Sequence, residues 1–271
     1  MWISPMRHVL AAVVAAAVFG LGGTAAAQNS PAAQQVLDRA RAASGGAANW
    51  NMLRGLHEVG EEAGVAFERW LDPLRYGLRR ETPGADGAKL VQGYNGAAEW
   101  RLLAGGVATG SERGEHAAMV RSDAFFGAYG YYYPGRFDLR GSHTGVRQHG
   151  GRSFDVLRMQ PAGGRPRDLW FDRRSGLLAR IVEADGAGPA RTTEVEDYRK
   201  VGPVLVPFRF VTSGGGLEKP VVRTLCSVDF RPADRTHFSL PPPAPPKPPA
   251  KAETPAPETP APPAKPERKR R

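Results

Sequence analysis

The side chains able to do chemistry in this chain are few, and their spacing rarely serves it. His143 and His149 flank a glycine-rich stretch and are metal ligands by type, but their spacing crosses a turn and brings no third ligand, so no metal site is predicted. Glu194, Glu196 and Asp197 cluster on one strand. Alternation puts Glu194 and Glu196 on the same face, where solvent and neighbouring arginines relieve their repulsion, so a solvated outer face is expected and not an acid–base pair. Cys226 is the sole cysteine and sits in a strand-like run, Val221 to Phe230, where it reads as a small buried hydrophobe with no disulfide partner. The chain contains no H-E-x-x-H, G-x-S-x-G, Walker or C-x-x-C pattern. No catalytic residue, metal or cofactor is assigned, and the expected activity is non-covalent.

Aromatic residues are the other candidates, through burial of apolar ligands. The run FFGAYGYYY, Phe125 to Tyr133, is the densest aromatic patch and follows a loose helical stripe of Ala117, Val120 and Ala124. Such a run either plugs the core or lines a cavity.

The positioning elements are mostly strands. Ser30 and Pro31 form an N-cap and first turn ahead of a narrow apolar stripe, Val36, Leu37, Ala40 and Ala43, that ends at Gly45-Gly46. From Trp50 the period becomes two. Leu53–Val59, Val65–Leu71, Leu74–Glu81, Lys89–Tyr94 and Ala97–Leu103 read as short strands of a meander. In the second of these, Val65 and Phe67 share one face, and Glu68 and Trp70 the other. Phe137 to Met159 is a hairpin turning at Gly150-Gly151, with Phe154 and Val156 on one face and Leu157 and Met159 on the other. Leu169 to Phe210 gives further antiparallel strands with a turn at Asp172–Gly176, and Pro207 predicts that its strand is at an edge or bulged.

The order of turn, SGLLARI, DYRKV and G-x-x-x-P within 172–207, the Gly96–Trp100 hairpin and the L-x-G…G-R-x-x-x-V-L pattern near Gly141–Leu157 resemble the lipoprotein-carrier (LolA/LolB-like) superfamily of the bacterial envelope. The resemblance covers most of Ala33 to Leu240. It implies an α+β fold in which an open, curved antiparallel half-barrel wraps around helices, with a cavity that holds a lipid, a lipoprotein acyl chain or another apolar ligand. Phe67, Trp70, Trp100, Phe125, Phe126, Tyr129, Trp170, Phe171, Ile181 and Phe208 are the expected lining residues, with the register left open. A retropepsin-like protease reading lacks its D-T/S-G motif. The alternative is an envelope scaffold whose half-barrel is filled by its own side chains.

The ends differ from this domain, 28–240. Met1 to Ala27 has Arg7, an apolar run from Val9 to Leu21 and a small-residue site ending at Ala27, the pattern of a cleaved secretory signal. A periplasmic, monomeric protein is expected. Pro241 to Arg271 holds 13 prolines, seven basic and three acidic residues, and cannot bury a core. The net charge of +10 would suit nucleic acid. An exported protein meets anionic lipid or cell wall instead, so the tail is expected to be a solubilising spacer or a tether to an envelope surface or partner.

Overall fold

The computed structural model describes residues 29–84, 87–103, 108–133, 136, 138–184 and 188–242; the expected leader, and the tail from residue 243 on, lie outside them. Among the described residues, thirteen antiparallel strands form one sheet. The first meander is β1 (Leu56–Glu62), β2 (Val65–Asp72), β3 (Gly77–Pro83), β4 (Lys89–Tyr94), β5 (Glu99–Leu102) and β6 (Ala108–Ser111). The second is β7 (Leu139–His149), β8 (Arg152–Pro161), β9 (Arg167–Asp172), β10 (Leu178–Glu183), β11 (Arg191–Val201), β12 (Val204–Gly214) and β13 (Val221–Asp229). The spatial order runs from β6 down to β1, then β13 down to β7. Every pairing joins strands adjacent in sequence except one, β1 with β13.

Three helices pack on the concave face: α1 (Pro31–Ala43), α2 (Ala47–Met52) and α3 (Glu115–Gly127). In α1 the Ser30 hydroxyl accepts from the Ala33 N–H at 3.3 Å, and Ala33, Val36, Leu37 and Ala40 are buried, as the stripe predicts. Trp50 belongs to α2 and does not open a strand. Its indole N–H donates to Ser44 Oγ at 2.9 Å, and its ring packs against Tyr129 and Tyr132, so tertiary packing overrides the local preference of a weak helical sequence. α3 spans the opening between the two arms of the sheet. Arg121 Nε donates to Tyr94 Oη on β4 at 2.7 Å, and Ser122 Oγ accepts from the Arg165 N–H beside β9 at 2.7 Å.

The predicted turn at Asp172 is built by its carboxylate, which accepts from the backbone N–H groups of Arg174 and Ser175 at 2.9 and 2.8 Å. Two expectations are revised. β12 is an interior strand, yet β13 pairs only with Arg209–Thr212 of it, so Pro207, opposite Tyr198 of β11, lies where the other side of the strand is unpaired, a place that tolerates a proline. Cys226 is exposed, not buried. The β1–β13 register slips between Val59 and Gly60, from Ser227 to Leu225, which leaves Cys226 as the extra residue of a bulge.

Candidate functional site

Between α3 and the concave face lies a cavity of about 380 Å³. Val120 and Phe126 of α3, with Tyr129 and Tyr131 just beyond it, form one wall. Leu178 and Ile181 of β10, Val195 of β11 and Phe210 of β12 form the facing wall. Tyr129 has φ of 56°, a left-handed conformation uncommon outside glycine, and this reversal turns the chain from α3 into a single 3-10 turn at Gly130–Tyr132. It also sets the Tyr129 ring 5.0 Å from Trp50, so the cavity wall is braced by the core behind it.

The third side of the cavity is ionic. Leu56, Glu58, Gly60 and Glu62 alternate on the concave face of β1, opposite Leu71, Arg69, Phe67 and Val65 of β2. Glu58 and Arg69 are 1% and 7% exposed and form a buried ion pair, with Arg69 Nε donating to Glu58 Oε2 at 2.8 Å. Arg80 donates to Glu62 at 2.5 Å. Arg167 bridges Asp123 of α3 at 2.5 Å and Glu183 of β10 at 2.9 Å. Arg223 of β13 lines the same cavity with its guanidinium 4.0 Å from the centre of the Phe210 ring, and its Nε is buried without a hydrogen-bond partner. Burial, then repulsion from Arg69, lowers its pKa to about 10.

Of the residues expected to line a cavity, Phe126, Tyr129 and Ile181 do. Phe67, Phe125 and Phe171 are buried in the core beside it. Phe67 lies under Arg80, Phe125 against Tyr76 and Phe126, and Phe171 against Tyr131. Phe208 is buried beneath the Arg199 guanidinium, also outside the lining.

Trp70, Trp100 and Trp170 are on the convex face, for reasons of parity. Trp70 is the neighbour of inward-facing Arg69, stacks on His57 and meets His237 edge-on. Trp100 lies over Gly93, where an added Cβ would stand 2.3 Å from the indole, and donates to the Phe238 carbonyl at 2.7 Å. Trp170 packs with Phe154 and Arg180.

The lining residues that sequence reasoning missed include the charged set Glu58, Glu62, Arg69, Arg80, Arg167 and Arg223. Their alternation was visible, but charge on a strand face ordinarily marks solvent.

The other polar candidates are structural. His143 Nε2 is 3.1 Å from Asp155 Oδ1, and Asp155 also pairs with Arg39 of α1. Glu194 pairs with Arg180 at 2.8 Å, Asp197 with Arg199 at 2.6 Å, and Glu196 with Arg209. Among the described residues no three His, Cys, Asp or Glu side chains gather to hold a metal, and no helix is long and apolar enough to cross a membrane.

No family model and no curated protein matches this chain. Solved structures do. A LolA superfamily protein from Nitrosomonas europaea aligns with a TM-score of 0.53 at 10% identity, over 76% of this chain and 97% of that one. An outer membrane lipoprotein-sorting protein domain from Vibrio parahaemolyticus aligns at 0.48 and 11% identity, over 74% and 92%. The fold of this chain is LolA-like: an open antiparallel half-barrel with helices on its concave face.

Proposed function

With the LolA-like fold as premise, we propose that this is an exported, monomeric binding or carrier protein of the bacterial envelope that holds a lipid, an acyl chain or a similar apolar ligand without covalent chemistry. One observation carries the reading. The half-barrel is filled with its own side chains nearly everywhere, yet α3 stands off the sheet to leave a cavity with apolar side chains on both walls. Its size is at the lower end for small-molecule sites, roughly 300–1,000 Å³. Each methylene buried there would contribute about 0.8 kcal/mol, so a single short acyl segment suffices for useful affinity. The signal-like start of the sequence supports export, and the proline-rich basic end supports a spacer beyond the domain.

Native mass spectrometry of protein purified from the envelope without detergent, with solvent extraction of the same sample, tests the proposal. A lipid or acylated molecule bound at near-stoichiometric occupancy is the expected result. A bare mass that persists after incubation with lipid vesicles overturns it and leaves a self-filled scaffold whose tail makes the contacts.

A further inference from the structure

Among the described residues, charge in the cavity does not balance. Its lining has four carboxylates, Glu58, Glu62, Asp123 and Glu183, and five arginines, Arg69, Arg80, Arg167, Arg191 and Arg223. The carboxylates are all engaged: Glu58 by Arg69, Glu62 by Arg80, and both Asp123 and Glu183 by Arg167. Glu62 stands opposite Arg223 in the β1–β13 ladder, but its carboxylate turns to Arg80. Arg223 therefore faces the cavity with a buried Nε and an aromatic ring beneath it, attracted by Glu58 and Glu62 but in direct ion-pair contact with no carboxylate among the described residues. A buried N–H of a charged group without an acceptor is costly unless a ligand supplies one.

The apolar wall begins at that cation. One ladder row carries Arg223, Phe210 and Val195, and the adjacent row carries Val221, Thr212, Thr193 and Ile181. From β13 to β10 is three strand spacings, about 14 Å. At about 1.2 Å per bond, the rise of an extended chain, that distance accommodates an alkyl chain of up to roughly twelve carbons. The geometry points to a single-chain amphiphile with an anionic head group as the ligand, its carboxylate or comparable anion held by Arg223 and its tail laid across β12, β11 and β10 beneath Phe126 and Tyr129. This rests on the binding function proposed above and adds to it the charge and length of the ligand. Arg191, at the end of β11 and likewise outside these ion pairs, adds positive potential to the cavity.

Isothermal titration of the full chain with decanoate, decanol and acetate tests the assignment, and the wild-type comparison needs no variant. Decanoate is expected to bind about tenfold or more tightly than decanol, because a hydrogen bond to a charged partner is the difference between them. Acetate is expected not to bind at concentrations that saturate with decanoate. In Arg223→Met the two ten-carbon ligands should bind alike, at the wild-type affinity for decanol, whereas Arg223→Lys should keep part of the preference. Arg223→Met should also melt at a higher temperature than wild type, since it removes a half-buried charge whose Nε has no acceptor. Equal wild-type affinities, a preference undiminished in a folded Arg223→Met protein, or acetate binding as well as decanoate would each overturn the head-group assignment. Binding of none of the three would overturn the carrier reading as well.

Discussion

All seven tyrosines hold their protons more tightly than a tyrosine in water, each first because of burial. Tyr132 and Tyr133 are pushed up to about 12, and Tyr129, Tyr131 and Tyr198 well above the usual value. The unfolded chain loses these protons near pH 10, so the tyrosines contribute their full stability below that pH and lose it as pH rises toward 12 and beyond. A spectroscopic pH titration should show almost no tyrosinate up to about pH 10, then a cooperative rise that coincides with loss of near-ultraviolet circular dichroism; gradual ionisation with the fold retained would contradict the burial of this cluster. The Glu58–Arg69 pair makes a second residue-scale prediction. Glu58→Ala should cost about 3–5 kcal/mol in denaturant unfolding by stranding a buried guanidinium, and adding Arg69→Met should restore most of it. A Glu58→Ala protein as stable as wild type would mean that water reaches Arg69.

Among the elements, the segment after β13 closes the convex face. Phe238, 4% exposed, sits on Gly77, where an added Cβ would come within 2.7 Å of its ring, and its carbonyl accepts from Trp100. Phe238→Ala should destabilise the fold by about 3–5 kcal/mol, and Gly77→Val should cost about 1–3 kcal/mol by pushing the same ring out; both are measurable by urea titration followed through tryptophan fluorescence. Little of this was legible beforehand. Glycine in a strand told of a close approach but not of what approaches, and the partner lies 161 residues away in sequence. Alternation did place the strands near their observed bounds, and separated Phe67 from Trp70, because a period of two is a local property. It could not say which face curls inward, so the tryptophans were assigned to a cavity that only one parity can reach. The ionic wall was hidden for a related reason: Glu58 and Arg69 look like surface residues until the ladder sets them opposite each other.

At the scale of the molecule, the domain and its tail should separate in function. The cavity is lined between Glu58 and Arg223, and the chain from residue 243 on carries seven basic against three acidic residues. Deleting residues 243–271 should leave ligand affinity and melting temperature unchanged while weakening retention on anionic vesicles at low salt, read by co-sedimentation. A deletion that lowers the melting temperature by several degrees would place the tail on the domain instead. The strand order has a further consequence, for the order of events in folding. Each meander is assembled from neighbours in the chain, with short loops to close, whereas the β1–β13 ladder must bring together residues as distant as His57 and Asp229. That seam is expected to be the slow step. It also sets Arg223 of the second meander opposite Glu62 of the first, so the unpaired cation joins the ion pairs of the cavity wall only when the two halves of the protein meet, and an intermediate that has formed both meanders already has its sheets but not yet its cavity.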